Sequence, residues 1–291
     1  MAGVVRRSGV PMRRKGAPMR RGVAVVMLAA ALAALAVGAA FCVAGCDMPS
    51  TGGLGQVGGS GVVVTREYDY SGFTKVVVES GFDVEIDFAD DDTYAVAVTV
   101  DDNLVAEHLK VELDGDTLHI GLAPLWNYHD VTTRARVVLP RLTGLEASGS
   151  SSVVVTKSKS GDAVELEASG SSTVEFVGVR FGDVTVDVSG ASRLEGSAEV
   201  GEVTGEVAGG SALDLAGAAS RLRLDASGGS RLDLLALRAE SADLSLSGGS
   251  SGQVTITGAL TVDASGGSRL EYAGDPQVSV DVSGGSAVEP Y

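Results

Sequence analysis

Seven carboxylates recur at near-regular intervals through the second half of this sequence: Glu146, Glu167, Asp187, Glu206, Asp225, Asp263 and Asp281. Each stands three residues before the glycine of a Gly-x-Ser segment. A second series, Glu175, Glu195, Asp214, Asp233, Glu271 and Glu289, stands five residues after it. Regularly spaced oxygen ligands suit a hard divalent cation or a cationic partner, and the first series is the candidate binding face. The same pattern also suits a solvated face that keeps the protein soluble and discourages edge-to-edge association, and charge alone favours that second reading. The Gly-Gly-x-Gly-x-Asp signature of calcium-binding β-rolls is absent from the copies. Glycoside cleavage needs an acid and a second carboxylate at one set separation, whereas these carboxylates form uniform series.

Other candidate chemistry is thinner. Gly248-Gly249-Ser250-Ser251-Gly252 matches the nucleophile-elbow string, but no helical pattern follows it and no histidine lies beyond His129. His108, His119 and His129 lack metal-ligand spacing and read as surface or loop residues. Asp90-Asp91-Asp92 reads as a charged turn rather than an EF-hand loop. Trp126-Asn127-Tyr128-His129 could stack a sugar, but a loop between two strands that packs its own aromatics is the reading favoured. No catalytic residue, metal site or cofactor is expected.

The elements that would carry the carboxylates are written as a repeat. Its glycines are Gly149, Gly170, Gly190, Gly209, Gly228, Gly248, Gly266 and Gly284, spaced 18 to 21 residues apart. Four residues before them stand Leu145, Leu166, Val186, Gly205, Leu224, Leu244, Val262 and Val280; two before, Ala147, Ala168, Val188, Val207, Ala226, Leu246, Ala264 and Val282. Polar residues fill the alternate columns, which is the period-2 pattern of a strand with one buried face. Four after the glycine the column is apolar again, with Gly252 the exception. Each repeat is therefore a strand, a glycine corner, a second strand and a variable return. A serine stands two after the glycine in all eight copies, Ser151 to Ser286. Stacked rungs about 4.8 Å apart would bring those hydroxyls together to donate and accept along a ladder. Arg193, Arg231 and Arg269 share one column and are placed to pair with the acids beside them.

One repeat of about 20 residues cannot bury its own face, while a stack can. The expectation is an all-β parallel β-helix over residues 143–291. A β-sandwich is the alternative, but it gives no reason for identical columns. Residues 61–142 differ. Val62–Thr65, Lys75–Glu79, Val84–Phe88, Ala95–Val100, Lys110–Leu113, Thr117–Ile120 and Arg134–Leu139 read as strands, Asp114-Gly115-Asp116 as a hairpin turn, and Asn103–His108 as one helical turn. This β-rich region would cap the solenoid, since a terminal repeat must close the exposed core.

The first 46 residues carry an address. Arg6, Arg7, Arg13, Arg14, Lys15, Arg20 and Arg21 precede an apolar run from Val23 to Val43, and no acidic residue occurs before Asp47. A basic region followed by an apolar one is the pattern of a secretory signal, residues 1–45, with Met1, Met12 or Met19 as the start. An uncleaved membrane anchor is the alternative, the run being about long enough to span. Val43-Ala44-Gly45-Cys46 resembles the bacterial lipoprotein box, and the resemblance implies cleavage before Cys46 and diacylglycerol on its thiol. Two acyl chains are what stable anchoring needs. Ser50–Gly61 is rich in Gly and Ser, and residues 46–60 read as a flexible tether. Seven of the 22 basic residues and none of the 38 acidic ones precede Cys46, so a chain starting there carries a net charge of −23. Nucleic acid is excluded as a partner. With only Cys42 and Cys46, so is a disulfide framework.

The stretch Tyr70-Ser71-Gly72-Phe73-Thr74-Lys75-Val76, then Asp83-Val84-Glu85-Ile86, the Ser-Gly-x-Ser turns and the ending Tyr272-Ala273-Gly274-Asp275-Pro276 together resemble the bacterial family of auto-transporter adhesins with a head GIN domain. The likeness spans about Glu67 to Glu289. It implies a right-handed single-stranded β-helix on exported, often lipid-anchored proteins. It offers no catalytic residues, and the Ser-Gly-Gly-Ser corners depart from it. The function expected is non-catalytic binding or adhesion outside the cytoplasm, with the membrane, through Cys46, and a surface polysaccharide or protein as partners. A polysaccharide-active enzyme and an envelope-stress or assembly component are the alternatives. β-helices do host the former, but fold analogy alone is a weak warrant.

Overall fold

Val, Leu and Ala at alternate positions make each repeat an extended segment that is apolar on one side only, and the computed structural model stacks these segments in register. The structure describes residues 55–156 and 161–291. The leader, Cys46 and the candidate start residues lie outside the described residues.

The first part contains β1 (Gly55–Gly58), β2 (Val63–Tyr68), β3 (Lys75–Val78), β4 (Asp83–Phe88), β5 (Ala95–Asp101), β6 (Leu109–Asp114), β7 (Thr117–Leu122), β8 (Trp126–His129) and β9 (Thr133–Leu139). The second contains β10 (Gly144–Ala147), β11 (Ser152–Thr156), β12 (Val164–Ala168), β13 (Thr173–Arg180), β14 (Val184–Val188), β15 (Arg193–Val207), β16 (Ala212–Ala226), β17 (Arg231–Leu246), β18 (Ser251–Ala264), β19 (Arg269–Ala273), β20 (Gln277–Val282) and β21 (Ala287–Pro290). From β15 to β18 one strand covers the second face of a coil, the return and the first face of the next.

Two parallel ladders result. One runs β7, β3, β10, β12, β14 and on through the C-terminal parts of β15 to β18 to β20. The other runs β9, β4, β11, β13 and on through the N-terminal parts of β15 to β18 to β19 and β21. The protein is a parallel β-solenoid. The apolar columns face inward: Leu166, Val186, Leu224, Leu244 and Val262 of the first ladder and Val174, Leu194, Leu213, Leu232 and Leu270 of the second are buried. At Gly252, the exception in its column, the side chains of Leu270, Leu232 and Leu246 fill the gap.

The corners lie in a column, as the repeat requires. A Cβ built on Gly266 would meet the backbone N of Gly248 at 2.8 Å, one on Gly248 would meet Gly228 at 3.0 Å, and the series continues down to Gly149. Each bend therefore rests directly on the bend below.

Residues 61–142 supply more than a cover. β3 and β4 form a complete coil, with Ser80 and Gly81 at its corner, and they lie between β7 and β9 on one side and β10 and β11 on the other. The chain thus lays down the second rung first, adds the first rung beyond it, and then returns to build on the opposite edge. Antiparallel β2, β5 and β6 flank these rungs, β2 pairing with β5, β5 with β9 and β6 with β7. Gly115, at positive φ, makes the expected hairpin turn, and the short helix is a 3-10 turn at Asp102–Leu104. Phe73, Phe82, Leu104, Leu118, Ile120, Leu139 and Leu142 fill the core here. The expected tether ends early: Gly55–Gly58 pairs in parallel with Trp126–His129, so its last residues are a strand.

Candidate functional site

In-register pairing puts Glu146 beside Glu167, Glu167 beside Asp187, Asp187 beside Glu206 and Glu206 beside Asp225. Ser245 interrupts, and Asp263 and Asp281 continue the column. All seven candidate residues are therefore brought into one line, Glu146 half-buried and the others exposed. Carboxylates on adjacent strands repel by roughly 1 kcal/mol per pair at the surface. Glu146 is held above the ordinary carboxylate range, first by burial and then by Glu79, with His119 opposing. Glu167, though exposed, is raised first by partial desolvation against the strands around it and then by Glu146, Asp187 and Glu165.

The second acidic column is different because arginines stand against it. Arg193 lies 3.1 Å from Glu195 and 3.6 Å from Asp214, and Arg231 lies 3.0 Å from Asp233. Arg269 lies 3.2 Å from Glu271 and 2.9 Å from Glu289. Such exposed pairs contribute little stability, but they cancel charge along that edge. Among the described residues, none of the seven carboxylates of the first column forms an ion pair of this kind. Nor does any group of three or more His, Cys, Asp or Glu side chains there converge to hold a metal ion. Stacking delivers a line of charge, not a cage.

The serine column corrects one expectation. Ser151, Ser172, Ser192, Ser211, Ser230, Ser250 and Ser268 are buried, but their hydroxyls do not bond to one another. Each takes a backbone role. The N–H of Ser151 donates to the Ser172 hydroxyl at 3.1 Å, Ser172 N–H to Ser192 at 3.1 Å, and Ser192 N–H to Ser211 at 3.2 Å. The hydroxyls donate to backbone carbonyls, Ser151 to that of Ser148 at 2.7 Å and Ser268 to that of Ser265 at 2.8 Å within their own coil, and Ser230 also to that of Val207 in the preceding coil at 2.6 Å. The corner turns these N–H groups out of the strand ladder, and a buried N–H must find a partner. Ser250 of the nucleophile-like string belongs to this column, its hydroxyl donating to Ser247.

Two N-terminal features were not legible. Asp101, fully buried, accepts the N–H of Gly61 at 2.7 Å and that of Thr132 at 2.6 Å. It positions the chain entering β2 and the chain leaving β8, yet in the sequence it merely follows the strand expected to end at Val100 and precedes the helical turn expected from Asn103. His108 is buried rather than a surface residue. Its ring meets Trp126 edge-on at 4.8 Å and Tyr128 at 5.6 Å, and the Tyr128 hydroxyl lies 3.2 Å from its Nδ1. His119 is half-buried on β7 and His129 is exposed. Trp126 and Tyr128 pack on His108, which lies outside their segment, and they stand on a strand where a loop was expected.

The family model described as "putative auto-transporter adhesin, head GIN domain" matches residues 72–276. The chain belongs to this family. Three crystal structures share the fold of this head GIN chain. A "putative adhesin" from Parabacteroides merdae is 17% identical with a TM-score of 0.74, covering 81% of this chain and 99% of its own. A "putative lipid binding protein" from Parabacteroides distasonis is 21% identical with a TM-score of 0.75 over the same shares. A "putative adhesin" from P. distasonis is 20% identical with a TM-score of 0.73, covering 81% of this chain and all of its own. At these identities the likeness carries the head GIN fold and no residue roles. No curated protein matches the chain.

Proposed function

We propose that this head GIN protein is an exported, non-catalytic binding scaffold, held to the outer side of a cell membrane by lipid on Cys46. The observation that carries the binding role is the unpaired carboxylate column beside an arginine-paired one. Charge of one sign, repeated at seven of the eight repeats of a rigid stack, favours an extended partner with repeated positive charge, and accelerates its encounter in a salt-dependent way. A basic segment of a surface protein fits this description, as does an amine-bearing surface polysaccharide. The family's adhesin name supports the assignment to surface binding, and the basic-then-apolar leader ending at Cys46 supports export and anchoring.

The test compares the full chain with a Glu167→Gln, Asp187→Asn, Glu206→Gln variant for binding to oligolysine and to isolated amino-sugar polymers. The expected result is a several-fold loss of affinity, with a shallower salt dependence. Equal binding by the variant would refute the face. Turnover of a polyuronate by the purified chain would instead favour a polysaccharide-active enzyme. Loss of membrane sedimentation on Cys46→Ser tests the anchor separately.

A further inference from the structure

The loop between β7 and β8 presents an apolar tip that the fold itself does not use. Leu125 is 77% exposed and sits at φ +70°. Positive φ is costly for a bulky side chain, and Gly or Asn would make the same turn with less strain. The leucine gains no packing in return. Pro124 before it is exposed, and Trp126 after it is 44% exposed.

The Trp126 ring is nonetheless held firmly. It lies over the backbone of Gly55, where a Cβ would come within 2.2 Å of Cζ3, and the edge contact with His108 braces it from within. Its indole N–H has no hydrogen-bond partner among the described residues. A fixed indole with a free N–H beside an exposed leucine is suited to the boundary between lipid headgroups and acyl chains.

Chain connectivity selects the occupant. The register pairs Gly55 with Trp126, so the chain enters the described fold at this tip. Cys46 precedes Gly55 by nine residues, a reach of at most about 30 Å. A lipid there would give the tip an effective concentration at the bilayer of about millimolar order, so a contact too weak to anchor the protein alone would still form.

We propose that Leu125 and Trp126 are a membrane-interface contact that seats the N-terminal end of the solenoid on the bilayer bearing its lipid anchor. The contact rests on the anchoring reading of Cys46 given above, and it adds orientation to it. The carboxylate column then points its far end away from the membrane.

Trp126 is the sole tryptophan of the chain and reports on itself. The full chain, purified from bacterial membranes, is placed in phosphatidylcholine–phosphatidylglycerol vesicles with or without brominated acyl chains. The expected result is blue-shifted Trp126 emission, quenched by bromine near the headgroups and protected from aqueous iodide. Leu125→Asn keeps a residue that tolerates positive φ, so it stays folded by circular dichroism while bromine quenching falls several-fold. A sedimenting chain with iodide-accessible, bromine-insensitive emission overturns the contact and leaves the anchor standing. Unchanged sedimentation of Cys46→Ser with no acyl group found on the wild type overturns the anchor and the seating with it. Emission that responds to oligosaccharides but not to brominated lipid makes the tip a sugar platform and also overturns the proposal.

Discussion

Alanine at Gly266 and alanine at Gly267 should have unequal costs, although the two glycines are neighbours in one corner. Both sit at positive φ, +69° and +83°. At Gly267 a Cβ meets nothing within 4 Å. Its cost is the left-handed backbone alone, about 1–2 kcal/mol, less a few tenths to 1 kcal/mol from the stiffer unfolded chain. The molecule already tolerates this: Ser150, Ser171 and Ala191 occupy the equivalent corner position at φ +66° to +68°. At Gly266 the Cβ meets backbone N of Gly248 at 2.8 Å and its Cα at 3.4 Å. Backbone cannot rotate away as a side chain can, so the two rungs must separate, adding about 1–3 kcal/mol of overpacking. With a urea m-value of about 2–3 kcal/mol/M, Gly266→Ala should unfold at a midpoint about 0.3–1.5 M below Gly267→Ala. Hydrogen exchange should show opening confined to the coils on either side. Equal midpoints would mean that the corner glycine of the eight repeats answers to φ alone, and that direct stacking of bends plays no part in its choice.

Ser151→Ala should cost about 1–3 kcal/mol, because it leaves the Phe82 N–H, now 3.3 Å from the Ser151 hydroxyl, buried without a partner; Ser150→Ala, exposed beside it, should stay within about 0.5 kcal/mol by the same thermal melt. If the two lose the same amount, the hydroxyl-to-backbone column is not structural. Glu146 and Glu167 are both raised in the folded state, so the native chain holds their protons more tightly than the unfolded one. Their contribution is complete below the ordinary glutamate pKa of about 4.3 and is lost as pH rises through the raised values. Glu146→Gln with Glu167→Gln should therefore melt above wild type at pH 7, the gap closing toward pH 4 in calorimetry; a gap that widens on acidification contradicts the assignment.

The stack was legible because a parallel in-register solenoid writes its geometry into spacing. Each rung lies over the last with no sliding, so Leu166, Val186 and Leu224 must recur at one offset from their glycines, and the acids and arginines fall into columns with them. What the hydroxyls bond to was not legible. The serine column says only that a small hydroxyl is required, and the orphaned N–H that requires it arises from the corner's backbone path. The order of the first rungs was also hidden. Val76 pairs with Leu118 and with Leu145, contacts 42 and 69 residues apart in the chain, and no local pattern encodes such a choice. Asp101 follows the inward-facing Val100 and should face solvent by strand parity; only the two converging chain segments give it a reason to be inside.

The displaced order of β3 and β4 divides the molecule into a part that cannot be resized and a part that can. The coil at Lys75–Phe88 has both of its edges occupied by segments far along the chain, so that end closes only as a unit. From β12 onward each coil pairs with the coil before and the coil after it, about 20 residues away along the chain. Inserting or deleting one whole coil there alters no other register and changes the height by about 4.8 Å. The C-terminal half is in that sense a ruler graduated in single strands, and the gauge length it sets is chosen by copy number rather than by any particular residue.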